Sequence, residues 1–123
     1  MANVLVVEDN PLARLSLTIF LRTRGYAVYE ANDGENAVTL LSSMPFDFVI
    51  SDLHLPGKLN GIDILDLTKT SPRKMDAILI SAYGSEEAKE KAAALGAVYM
   101  DKPIELKEVA RIIEAKIKRS TLL

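Results

Sequence analysis

Short apolar runs rich in Val and Ile alternate five times with longer amphipathic stretches along this chain. The first run, Val4-Leu5-Val6-Val7, closes at Glu8-Asp9. Asn10 then suits a helix N-cap, and Pro11 suits the first helical position, where a missing N–H does no harm. Leu12, Leu15, Ile19 and Phe20 recur at helical spacing and predict the buried stripe of that helix, with Gly25 as its stop. A second strand is predicted over 27–31. Asn32-Asp33-Gly34 turns the chain into a helix carrying Ala37, Leu40 and Leu41, which Pro45 ends. The third run, Phe48-Val49-Ile50-Ser51, is apolar almost throughout, as in a strand covered on both faces, and it ends at Asp52. A loop with Pro56, Gly57 and Gly61 leads to a helix with Ile62 and Leu65 inward, closing near Ser71-Pro72. The fourth strand, 77–80, ends at Ser81, and Ser85 caps a short Ala-rich helix that stops at Gly96. The fifth strand, 97–100, runs into Asp101-Lys102-Pro103. The last helix sets Leu106, Val109 and Ile113 on one side, and its mixed Lys, Arg and Glu ladder forms a solvated face.

Strict strand–helix alternation with short connections implies parallel strands and right-handed crossovers. The predicted architecture is a three-layer, doubly wound α/β domain of the flavodoxin-like type. It has five helices and five parallel strands in the order 2-1-3-4-5.

Composition narrows the chemistry. The 123 residues are 49% hydrophobic and 26% charged, an ordinary globular balance for one domain. Cysteine is absent, which removes disulfides, thiolate metal sites and cysteine nucleophiles, and the single histidine, His54, rules out a multi-histidine metal cage. Fifteen basic and 17 acidic residues give a net charge of −2, so no direct nucleic-acid contact is expected. No apolar run approaches membrane-spanning length, and the N-terminus lacks the basic and apolar regions of a secretion signal. The chain reads as cytoplasmic, with no membrane partner.

In a parallel sheet the C-terminal ends of all strands share one edge, which is where such folds bind ligands. Glu8 and Asp9, Asp52, Ser81 and Lys102 all fall there. Three carboxylates in one pocket repel, and a divalent cation relieves them. An oxygen-only donor set suits Mg²⁺. Lys102 adds positive charge and Ser81 a hydroxyl, a set able to stabilise a phosphoryl group in transfer. One carboxylate can itself be the nucleophile. Asp52 suits that role best, at the end of the central strand with acids on one side and Ser81 and Lys102 on the other. Singly, each residue is also what loops favour at strand ends.

The segments 4–10, 30–37, 52–57, 80–82 and 101–103, in this order and spacing, make the sequence resemble a response-regulator receiver domain of two-component signalling. The resemblance implies a single receiver domain over 1–123, with no output domain in this chain. It implies that Asp52 is the phosphoacceptor and that Glu8, Asp9, Asp52 and the backbone carbonyl of His54 hold Mg²⁺. Ser81 matches the hydroxyl residue that contacts the phosphoryl group, Lys102 the lysine that pairs with its oxygens, and Tyr99 the aromatic switch position. It also implies a cis Lys102–Pro103 bond. The implied function is a phosphorylation-dependent switch rather than an enzyme with a separate substrate. Its phosphoryl group comes from a sensor histidine kinase, a histidine phosphotransfer protein or a small phosphodonor. Phosphorylation changes the face of the fourth helix, fifth strand and fifth helix toward a downstream effector, in a monomer or a phosphorylation-linked dimer.

At the rim, His54 and Tyr83 are expected to screen attacking water, and small Ala82 to leave the acceptor accessible. The Gly57–Asn60 loop is a residue longer than in many receivers, and Lys58 is placed to reach toward the acids. Three other functions compete. A phosphoesterase with an aspartate nucleophile would want Asp-x-Asp after a strand, which Glu8-Asp9 and Asp52-Leu53-His54 do not supply. An FMN binder would want a phosphate-cradling loop where Glu8-Asp9-Asn10-Pro11 stands. A receiver without phosphorylation would not need the complete acidic, hydroxyl and lysine set.

Overall fold

Each apolar run becomes a strand and each amphipathic stretch a helix. The computed structural model describes the backbone of residues 1–122 and the side chains of residues 1–118. In chain order the elements are β1 (Asn3–Val7), α1 (Pro11–Thr23), β2 (Ala27–Ala31), α2 (Gly34–Ser43), β3 (Phe48–Asp52), α3 (Gly61–Thr70), β4 (Asp76–Ser81), α4 (Glu86–Ala94), β5 (Val98–Asp101) and α5 (Leu106–Leu122). The five strands are all parallel, in the order β2-β1-β3-β4-β5. The predicted topology is therefore the observed one.

Strand alternation divides the core in two. Leu5, Val7, Val49, Ala77 and Leu79 face Ala37 of α2, Ile64 and Leu65 of α3, and Ala88 and Ala92 of α4. Val4, Val6, Phe48, Ile50, Ile78 and Ile80 face Leu17 and Leu21 of α1 and Val109 and Ile113 of α5. All five β3 residues are buried, as their apolar run predicts.

The helix starts follow local hydrogen bonding. The Asn10 side chain accepts from the backbone N–H groups of Leu12 and Ala13, Asp33 from Asn36, and Ser85 from Ala88. α3 opens with a reciprocal capping box. Asn60 accepts from the N–H of Asp63, and the Asp63 carboxylate accepts from the N–H of Asn60. Asp63 thus caps the helix it opens.

Helix α1 departs from its predicted burial. Leu12 is 77% exposed, and Leu15 and Ile19 are also exposed, whereas Leu17, Thr18 and Leu21 are buried. The helix carries two apolar stripes, and periodicity does not say which one meets the sheet. Polar anchoring decides it. Arg14 pairs with Glu30 of β2, and Thr18 donates to the same carboxylate, which turns Leu17 and Leu21 onto Val4, Val6 and Val28.

Candidate functional site

The parallel ladder sets the strand ends level. Val7 of β1 pairs with Ala31 and Ser51, Asp52 with Ile80, and Ser81 with Asp101. The residues just past these pairs converge on the C-terminal edge. Carboxylate oxygens of Glu8, Asp9 and Asp52 all lie within 4.8 Å of one another. Glu8 and Asp52 are only 8% and 7% exposed, and Asp9 is exposed. Lys102 Nζ donates to Glu8 Oε1 at 2.8 Å and to Asp52 Oδ2 at 2.7 Å. Burial alone would lower the Lys102 pKa, but the hydrogen bonds and charges of Asp52 and Glu8 outweigh it and hold the ammonium above its usual value.

Backbone contacts fix Asp52. The N–H of Leu53 donates to the Ile80 carbonyl at 2.7 Å, and the N–H of His54 to Asp52 Oδ1 at 3.3 Å. Gly61 opens α3 directly against this bend. A Cβ there would lie 2.4 Å from the Asp52 carbonyl oxygen and 2.7 Å from Leu79 Cδ1. Opposite, the N–H of Lys102 donates to the Ser81 carbonyl at 2.9 Å, and the Lys102–Pro103 peptide is cis.

Ser81 is fully buried, and its Oγ accepts the N–H of Tyr83 at 3.0 Å. Tyr99 is half-buried on β5, and its hydroxyl donates to Asp101 Oδ1 at 3.0 Å. Burial, followed by the Asp101 hydrogen bond and charge, raises the Tyr99 pKa above the usual phenol value, against smaller opposing effects of Ser81 and Lys89. The phenol is therefore neutral at physiological pH.

The rim is more open than the sequence suggests. His54 and Ala82 are exposed, and Tyr83 is 85% exposed, so its ring covers little in this conformation. Lys58 is exposed too, and among the described residues it forms no ion pair with the acids. The longer loop is instead tied to α2, where Leu59 N–H donates to Glu35 Oε1 at 3.3 Å.

Sequence reasoning missed Arg14. Its Nη1 donates to the Glu8 carbonyl at 2.8 Å while its Nε faces Glu30 at 3.5 Å, so it braces the acidic turn from behind. The available signal was helical spacing, since Asn10, Arg14 and Thr18 stand four residues apart on one face. A groove of about 610 Å³ between α1 and the segment after β5, lined by Ala13, Leu17, Ile104 and Leu106, opens onto Glu8, Asp52 and Lys102.

Two nearly buried acids are bridged by a lysine at the end of a parallel sheet, beside a buried hydroxyl. The family model of the response regulator receiver domain matches residues 4–114. The chain belongs to the response regulator receiver family. This receiver is 34% identical over 116 residues to the "Probable chemotaxis protein CheY" of Rhizobium etli, with 91% of this chain and 89% of that protein covered. It is 33% identical over 117 residues to the transcriptional regulatory protein QseB of Haemophilus influenzae, covering 94% of this chain but 52% of QseB. The receiver thus spans about half the length of several curated relatives it matches. Among solved structures it resembles a response regulator protein of Burkholderia pseudomallei, whose structure carries a phosphorylated aspartic acid, calcium ion and citrate. The TM-score is 0.80 at 28% identity, over 89% of this chain and 65% of that one. No helix among the described residues is long and apolar enough to cross a membrane.

The donor set fits a hard divalent cation. It is oxygen-only, it gathers three carboxylates, and one of them faces solvent.

Proposed function

We propose that this receiver is a switch set by phosphorylation of Asp52. The observation that carries the reading is the grip of Lys102 on Glu8 and Asp52 within a cluster of three carboxylates. The Burkholderia neighbour, with its phosphorylated aspartic acid and metal ion, supports it.

An Asp52 carboxylate oxygen attacks the phosphorus of a phosphohistidine on a sensor histidine kinase or histidine phosphotransfer protein, or of a small phosphodonor. The new O–P bond makes an acyl phosphate. The P–N bond of phosphohistidine breaks, and its electron pair stays on the imidazole nitrogen. Lys102 places its positive charge where phosphoryl oxygens arrive, and the buried Ser81 hydroxyl reaches them when its turn moves. Glu8, Asp9, Asp52 and the His54 carbonyl would hold Mg²⁺, which when bound would supply charge neutralisation. Water attack on the acyl phosphate later returns Asp52 to a carboxylate, so the protein turns over only its own phosphoryl group.

Phosphorylation adds about −1.5 to −2 charge. Ser81 and Lys102 follow that charge, Tyr99 responds behind Ser81, and the α4-β5-α5 face changes for a downstream effector. The reading takes residues 1–123 as one receiver domain acting in the cytoplasm, as a monomer or a phosphorylation-linked dimer, with no direct nucleic-acid or membrane contact.

The test is incubation with Mg²⁺ and a small acyl phosphate, read by intact mass. The wild type gains one phosphoryl group and Asp52→Asn gains none. A wild type that binds Mg²⁺ without gaining mass, or equal gain in both proteins, overturns the reading.

A further inference from the structure

Three of the glycines, Gly25, Gly57 and Gly96, have positive φ, a backbone reason to be glycine. Gly84 has no such reason. A Cβ built there would lie 1.4 Å from the Tyr99 hydroxyl oxygen, 2.4 Å from Cζ and 3.0 Å from Cε2. The tip of the Tyr99 ring therefore occupies the space that a side chain at 84 would fill. The ring is held from two other directions, by Asp101 accepting from its hydroxyl and by Lys89 Nζ at 5.6 Å from the ring centroid.

We propose that Gly84 is a positioning residue that sets where Tyr99 sits, and that it couples this seat to Ser81. The covalent path between them is short. Ser81 Oγ accepts the N–H of Tyr83, so the turn from 81 to 84 moves largely as a unit. A shift of Ser81 toward a phosphoryl group carries Gly84 with it and reshapes the seat of the Tyr99 ring tip. A side chain at 84 evicts the ring without any phosphoryl group being present. The coupling to signalling rests on the phosphorylation reading above; the steric seat does not.

Gly84→Ala in the full chain tests it, with tyrosine rings observed by NMR and Tyr99 assigned through Tyr99→Phe. The Tyr99 ring signals shift in unphosphorylated Gly84→Ala, while those of Tyr26 and Tyr29, on the far side of the sheet, stay in place. On backbone grounds alone the alanine would stabilise, because it restricts the unfolded chain. A lowered unfolding midpoint in Gly84→Ala, with no lowering when Gly84→Ala is added to Tyr99→Ala, therefore marks the steric clash, and it can be read even if the single variant folds poorly. The Gly84→Ala effect on the rate of mass gain with acyl phosphate likewise disappears in the Tyr99→Ala background. Unmoved Tyr99 signals, or an equal effect of Gly84→Ala with and without the Tyr99 ring, overturns the proposal. If the wild type never takes a phosphoryl group, the phosphorylation reading fails while the ring-signal and stability arms still decide the seat.

Discussion

Both ends of the parallel sheet join a carboxylate to a cation, and the two ends are built differently. At the N-terminal end, Asp47 accepts from the N–H of Asn3 at 2.8 Å and from the guanidinium of Arg73, and the Asn3 side chain donates to the Pro45 carbonyl at 2.9 Å. One acid is matched by the guanidinium of Arg73 and, more weakly, by the N-terminal ammonium, with both side chains partly in solvent. At the C-terminal end three acids cluster, and one lysine pairs with the two that are nearly buried. A closed cluster fastens strands. A cluster with surplus negative charge is unfinished and has capacity for a cation.

Breaking the ion pair at each end sharpens this contrast, and Lys102→Ala has the largest expected effect. It strips charge-assisted hydrogen bonds from two buried carboxylates, each such bond being worth about 1.5–3 kcal/mol. Without divalent metal, urea unfolding shows a loss of that order, and added Mg²⁺ recovers most of it. A loss indifferent to Mg²⁺ would show that the two ends are the same kind of cluster. Next is Gly61→Ala, which drives a methyl group against the Asp52 carbonyl and Leu79. Overpacking there costs about 1–3 kcal/mol, and phosphorylation of Asp52 slows because the acceptor is displaced. Unchanged stability and phosphorylation would mean that the bend at Asp52 is not set by this packing.

Asp47→Asn at the other end has the smallest effect. Burial alone would raise the Asp47 pKa, but the Asn3 N–H and Arg73 outweigh it and hold the carboxyl below its usual value. A depressed folded pKa adds stability above the unfolded value of about 3.9 and loses it as pH falls through the folded value. Asp47→Asn therefore lowers stability at pH 7 by up to about 1 kcal/mol, and the difference from wild type vanishes in strong acid. A deficit that persists in acid would point to packing rather than charge. Phosphorylation is unaffected.

The C-terminal edge was far more legible in the sequence than the other contacts. Each strand announces itself by an apolar run, and the polar residues at its C-terminal end mark the edge, so Glu8, Asp52, Ser81 and Lys102 were placed there by topology. Contacts that depend on side-chain direction were not legible. Leu12, Leu15 and Ile19 match the helical period as well as Leu17 and Leu21 do, and the anchoring of Arg14 and Thr18 on Glu30 chooses between them. Asp47 and Arg73 meet across the turns at the far end of the sheet, where no periodicity brings them together. The closeness of Gly84 to Tyr99 depends on the path of one turn, which composition does not encode.

The grip of Lys102 on Glu8 spans 94 positions and joins the residue after β1 to the residue after β5, with β3 and β4 lying between those strands. The site is thus assembled only when the last strand has docked. On the proposed reading, a nascent or partly melted chain lacks the lysine beside Asp52 and takes up no phosphoryl group, so responsiveness doubles as a certificate of complete folding.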